Sequence, residues 1–188
     1  SGSGAFTKQG TGTLTLTGVN AYTGVTTISS GTLALSGSGT LASAAAVSIT
    51  AGSFDISGIT SSSQTIGDLS GSGAVVLGTK NLIEGTSNNT SYAGVISGSG
   101  AFTKQGTGTL TLTGANTYTG GTTVSAGTLQ GNTTSLQGNI LDNATVVFNQ
   151  SSSGTYSGII SGSGSLTKTN TGTLILTGAN TYTGGTTV

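Results

Sequence analysis

SGSGAFTKQGTGTLTLTG occupies Ser1–Gly18, recurs letter for letter at Ser97–Gly114, and returns as SGSGSLTKTNTGTLILTG at Ser161–Gly178. Within it Leu14 and Leu16 alternate with Thr13, Thr15 and Thr17, and Leu110, Leu112, Leu174 and Leu176 repeat the pattern. Period-two alternation marks strands with one buried face. It continues outside the phrase, at Val47 and Ile49 around Ser48 and at Phe54 and Ile56 around Asp55. No apolar stripe of helical period competes, so the chain is expected to be all-β with next to no helix.

The match extends beyond the phrase. After Gly18 comes VNAYTGVTTISSGTL, after Gly114 ANTYTGGTTVSAGTL, and after Gly178 ANTYTGGTTV, while YAGVISGSG at Tyr92–Gly100 and YSGIISGSG at Tyr156–Gly164 precede the later copies. The copies span residues 1–33, 92–129 and 156–188, with degenerate coils at 34–91 and 130–155. Together they read as one continuous repeat segment, 1–188, excerpted in mid-repeat from a longer protein. Copy starts at Ser1, Ser97 and Ser161 leave spacers of unequal length, which a solenoid tolerates as loops. A sandwich of hairpins does not predict one phrase recurring along the chain, whereas stacked coils bury the same positions against equivalent neighbours. The expected fold is a right-handed parallel β-helix of about six to nine coils, each of roughly 20 to 30 residues, making a rod about 30 to 45 Å long.

Differences between copies carry physical information. Gly10 and Gly106 become Asn170, and these two residue types most readily take a left-handed backbone, so this position is a turn with positive φ. Phe6 and Phe102 become Leu166, a swap suited to an inward site that can repack. Thr15 and Thr111 become Ile175, which marks a replaceable outward hydroxyl. Tyr22, Tyr118, Tyr182, Tyr92 and Tyr156 all sit in repeated phrases, a structural placement rather than a sugar platform. Lys8, Lys104 and Lys168 read as charges that solubilise a strand end or deter edge pairing.

Composition excludes several functions. Charged residues make up 4% of the chain against a usual figure of about 25%, and net charge is zero, so a phosphate backbone finds almost no counter-charge and nucleic-acid binding is excluded. The longest apolar runs fall far short of the roughly 20 residues of a membrane helix, and no basic, apolar signal peptide opens the segment. Cysteine is absent, which permits passage through a pore unfolded.

Without His or Cys, triads, thiol nucleophiles and the usual zinc sites are ruled out within the segment. The acids are Asp55, Asp68, Glu84 and Asp142, with no G-G-x-G-x-D calcium repeat, and no cofactor or metal site is expected. Asp55 and Asp68 on adjacent coils are the one conceivable carboxylate pair for glycoside cleavage. Asp55, Asp68, Lys80 and Glu84 share the most degraded stretch, Ser36–Thr90, where a dedicated ligand site would fall; solvated loop or edge charges are the plainer reading.

GTGTLTLTGANTYTGGTTVSAGTL at Gly106–Leu129 resembles the autotransporter-associated β-strand repeat, also called the passenger-associated transport repeat, of Gram-negative autotransporter passengers. Asn139–Lys168 resembles the connection between such repeats. The resemblance implies a β-helical passenger carried across the outer membrane by a C-terminal translocator β-barrel that lies elsewhere in the full chain. It implies display at the bacterial cell surface or secretion, with the repeat aiding secretion and folding, and a role in adhesion or aggregation. It supplies no catalytic or ligand-binding residues. The expectation is therefore a non-enzymatic stalk, with self-association, a host surface or a glycan as partner classes. The alternatives are an extracellular filament assembled head to tail and, more remotely, a β-helical polysaccharide-degrading enzyme.

Overall fold

The computed structural model describes residues 2–188; Ser1, the first letter of the first copy, lies outside the described residues. Every strand pairing is parallel, and no helix occurs among the described residues. The chain winds as a parallel β-solenoid of about nine turns. Successive strands show the winding: Leu69–Gly71, Ala74–Val76 and Asn81–Glu84 make one circuit, and Thr90–Tyr92, Ile96–Ser97 and Phe102–Lys104 make the next.

Three walls result. A ten-stranded sheet runs from Phe6–Lys8 to Thr186–Thr187, a six-stranded sheet from Ser63–Thr65 to Ile160–Ser161, and a five-stranded sheet from Thr13–Leu16 to Ile96–Ser97. A two-stranded sheet pairs Gly154–Tyr156 with Leu174–Leu176. Along the long sheet Phe6 faces Thr26, Thr26 faces Val47, Leu129 faces Val146 and Val146 faces Leu166. A coil therefore takes about 20 residues, the short end of the expected range, and nine steps of about 4.8 Å give a rod of about 43 Å.

The alternating residues fill the interior. Phe54, Ile56, Val75, Phe102, Leu110, Val124, Leu129 and Phe148 are fully buried. Burial falls off in the first and last coils, which have a neighbour on one side only: Leu110 is 0% exposed but Leu14, the same letter of the phrase, is 37% exposed.

The copies do not share a wall. Phe6–Lys8 and Ser165–Thr169 lie in the ten-stranded sheet, but Phe102–Lys104 lies in the six-stranded one. Likewise Thr13–Leu16 belongs to the five-stranded sheet and Thr109–Leu112 to the ten-stranded sheet. The offset from Ser1 to Ser161 is a whole number of about-20-residue coils, whereas that from Ser1 to Ser97 is not. The middle copy is accordingly turned by one wall.

Candidate functional site

The repeat unit is where recurring polar chemistry concentrates. Its first corner turns on Gly10 (φ 72°), Gly106 (φ 77°) and Asn170 (φ 66°), the last being the only non-glycine residue with positive φ among the described residues. The lysine two residues earlier closes each corner. Lys8 Nζ donates to Gln9 O at 2.8 Å, Gly10 O at 2.7 Å and Ser30 O at 3.1 Å. Lys104 Nζ donates to Gln105 O at 2.6 Å and Gly106 O at 2.9 Å, and Lys168 Nζ to Asn170 O.

Reading Lys8 and Lys104 as solubilising charges is thereby corrected, whereas Lys168, near the end of the rod, is half-buried. Lys8 is 7% and Lys104 2% exposed, because an ammonium with three donors satisfies carbonyls that the corner turns inward. The signal for this lay in the spacing, a lysine two residues before the left-handed residue in every copy.

A second recurring contact lies within one corner, between residues four apart. The Tyr22 hydroxyl accepts from Thr26 Oγ1 at 3.1 Å, and the Tyr118–Thr122 and Tyr182–Thr186 hydroxyl pairs stand at 2.7 Å. Phe6 stacks on Tyr22 at 5.8 Å between centroids, and Phe102 tilts on Tyr118 at 6.1 Å. Asn116, buried in the middle copy, accepts from Ile96 N in the coil below and donates to Ser135 O in the coil above. Tyr92 and Tyr156 each donate to a backbone carbonyl of the preceding coil, Gly73 O and Gly138 O. Burial raises the pKa of both phenols. Tyr92 and Tyr156 are thus buried fasteners between coils.

Of the four residues singled out in the degraded stretch, two come together and two do not. Asp68 accepts from Thr86 N at 3.2 Å, Thr86 Oγ1 at 2.6 Å and Asn88 Nδ2 at 2.7 Å, tying its corner to the next. Glu84 lies near it, 1% exposed, in register with Lys104 one coil on. Burial pushes the Glu84 carboxyl up to about 8, Lys104 and the Leu69 backbone oppose the shift, and Asp68 adds to it. Burial in turn lowers the Lys104 pKa, against the attraction of Glu84 and Asp68. Glu84 Oε1 is buried without a hydrogen-bond partner.

The expectation that Glu84 is a solvated loop charge is thus overturned: its alternation in Asn81–Glu84 turns it inward. Asp55 instead accepts from Ser57 N at 2.8 Å within its own strand, Ser53–Ile59, and belongs to the five-stranded sheet, whereas Asp68 precedes a strand of the ten-stranded one. Lys80 sits in the turn before Asn81–Glu84. Among the described residues no group of three or more His, Cys, Asp or Glu could hold a metal ion, and no helix is long and apolar enough to cross a membrane.

Comparison with known families places the recurring geometry. The passenger-associated-transport-repeat family matches residues 6–35, 102–130 and 166–188. These three segments are passenger-associated transport repeats. Their matched bounds begin at Phe6, Phe102 and Leu166, the residues that open the inward-facing pattern of each copy. The chain is also 42% identical over 119 residues to the adhesin BmaC autotransporter of Brucella suis biovar 1 (strain 1330), an alignment covering 59% of this chain and 3% of that protein. The chain is thus a parallel solenoid that carries three matches to this repeat and is similar in part to an adhesin autotransporter, of whose length it spans a small fraction. No solved structure matches it.

Proposed function

We propose that this segment is the structural stalk of a bacterial surface-displayed or secreted autotransporter passenger, a right-handed β-helix that supports secretion and folding and holds an adhesive or aggregating surface away from the cell. The observation that carries the reading is the repeat itself, three transport-repeat units built into one parallel solenoid. The related adhesin supports the adhesive half of it. On this reading a translocator β-barrel occupies another part of the full chain, and the segment does no catalysis.

The outer wall suits the partner classes expected of such a stalk. Thr7, Thr27, Ser48 and Ser70 follow one another in register along the ten-stranded sheet, and Ser91 and Thr111 continue the column. An uncharged hydroxyl face offers hydrogen bonds to a glycan or to another copy without like-charge repulsion.

The test is display. The segment, placed between a signal peptide and a translocator β-barrel in a Gram-negative host, is expected to become accessible to external antibody and to increase cell–cell or cell–surface attachment. Retention in the periplasm while the barrel inserts would refute the secretion reading; display without any gain in attachment would refute the adhesive one.

A further inference from the structure

The third wall of the rod is interrupted. Between the ten-stranded and six-stranded walls a circuit carries a strand such as Ala74–Val76 or Ile96–Ser97, and Gly154–Tyr156 resumes that pattern. In the two circuits between, residues 113–121 and 132–139 form no strand there. In the second of these the coil is short. The step from Leu129 to Val146 is shorter than that from Val146 to Leu166, and a tight turn takes the place of the strand. Asn132 Oδ1 accepts from Thr134 N at 2.9 Å, Thr134 Oγ1 at 2.7 Å and Ser135 N at 3.0 Å, and Leu136 N donates to Asn132 O at 3.0 Å. A helical turn advances about 1.5 Å per residue against about 3.3 Å in a strand, so part of the wall stays uncovered. A cleft of about 300 Å³ opens between this turn and the following coil, lined among others by Thr133, Gln137, Asn139, Thr155, Tyr156 and Ser157.

The cleft has a rigid floor. Leu136 is 1% exposed beneath the turn, the Tyr156 hydroxyl donates to Gly138 O, and the Tyr156 ring meets Phe148 edge-on at 5.1 Å between centroids. Gln150, itself buried, holds Thr133 by accepting from its N at 3.1 Å and donating to its Oγ1 at 3.3 Å. The rim keeps groups free to bond. Ile159 N donates to Asn139 Oδ1 at 2.9 Å, which fixes that amide and leaves its Nδ2 as a donor. Gln137 Nε2 donates to Thr134 O at 2.7 Å, which leaves Oε1 as an acceptor. Thr155 and Ser157 are exposed on either side of the buried Tyr156. Among the described residues no charged side chain lines the cleft.

We propose that this cleft is a binding site for a neutral sugar residue of a glycan. Each sugar hydroxyl both donates and accepts, which suits one fixed amide donor, one fixed amide acceptor and two free hydroxyls around a small concavity. The volume lies at the small end of the range for ligand sites. An anion finds no cation here and a metal ion no carboxylate, while an apolar ligand would leave the rim amides unpaired. The lining falls in the spacer between the matched repeats 102–130 and 166–188, so the site is a property of this chain's irregular coils. For its use by the cell the site rests on the adhesive reading above, but binding itself depends on the cleft alone.

The experiment is a titration of the whole isotope-labelled 188-residue chain, followed by amide chemical shifts. The probes are lactose, maltotriose, cellotriose and chitotriose, with sialyllactose as the charged comparison. At least one neutral probe is expected to bind with a Kd of about 1 mM and to move the amides of Gly138, Asn139, Thr155 and Ser157, and sialyllactose to bind no tighter than lactose. The double variant Thr155→Val, Ser157→Ala removes the two hydroxyls at nearly constant shape and is expected to weaken binding about tenfold or more. Asn139→Asp keeps the acceptor for Ile159 N and replaces only the free donor, with the same expected loss. Ser91→Ala, in the hydroxyl column of the ten-stranded sheet, is expected to leave binding unchanged. No neutral probe binding more tightly than about 50 mM, shifts confined to the ten-stranded wall, or undiminished affinity in the double variant and Asn139→Asp would each overturn the proposal. Because the purified chain is titrated, the two readings fail separately: sugar binding without attachment in the display assay refutes the adhesive reading alone, and attachment without sugar binding refutes this one alone.

Discussion

Replacing Glu84 by Gln is expected to reverse the way pH acts on this rod. The Glu84 side chain is 1% exposed, and its carboxyl is pushed from 4.5 to about 8, by desolvation first and against the pull of Lys104. Because its folded pKa is raised, the protonated acid is the form that folding favours. The associated stability is fully present below about pH 4.5 and is lost as pH rises through about 8, at up to about 1.4 kcal/mol per pH unit. Between pH 5 and pH 7 the wild-type chain is therefore expected to lose on the order of 2 to 3 kcal/mol. Gln is nearly isosteric and does not ionise, so Glu84→Gln is expected to remove most of that slope and to be the more stable chain at pH 7.5. Lys104 remains in the variant and keeps Gln105 O and Gly106 O as acceptors. Asp142, whose pKa burial also raises, contributes a slope of the same sign in both chains. The assay is the urea midpoint by circular dichroism at half-unit steps from pH 4.5 to 8.5. A wild-type midpoint that rises with pH across this window, or a variant with an unchanged slope, would refute the assignment of a buried, proton-favouring acid.

Three further outcomes follow from packing. Leu110→Ala is expected to cost about 3 kcal/mol in urea unfolding and Leu14→Ala about 1 kcal/mol, because the same letter of the phrase is fully buried in one copy and 37% exposed in the other. Equal costs would contradict the burial difference between copies. Gly94→Ala is expected to prevent native folding or to lower the urea midpoint sharply, since its Cβ would lie 1.7 Å from Gly73 O, whereas Gly12→Ala, which meets nothing within 4 Å, is expected to be neutral. Electron micrographs of the purified segment are expected to show discrete rods about 43 Å long, with long fibres instead supporting head-to-tail assembly.

Much of the architecture was legible in the letters. Alternation at Leu14 and Leu16, or at Phe54 and Ile56, expresses a two-residue period that one buried sheet face imposes, so strand class and inward face could be read locally. The exchange of Gly10 and Gly106 for Asn170 pointed to a left-handed corner because few residue types tolerate one, and the backbone there has positive φ in all three copies. The absence of His and Cys and the scarcity of charge bounded the chemistry before any coordinates were needed.

Burial of the charges was not legible. A lysine at a strand end looks solvated in sequence, and only the curl of the corner shows that Lys8 and Lys104 meet inward carbonyls there. Glu84 and Lys104 stand 20 positions apart, and their meeting depends on a coil length that varies along the rod.

By itself, then, the sequence determined the strand class, the repeat and its corners, since each depends on interactions within a few residues. Tertiary structure alone decided the count of about nine turns and the one-wall rotation of the middle copy. These depend on cumulative coil length, and a spacer longer or shorter by a few residues changes which wall a later strand joins without altering any local pattern.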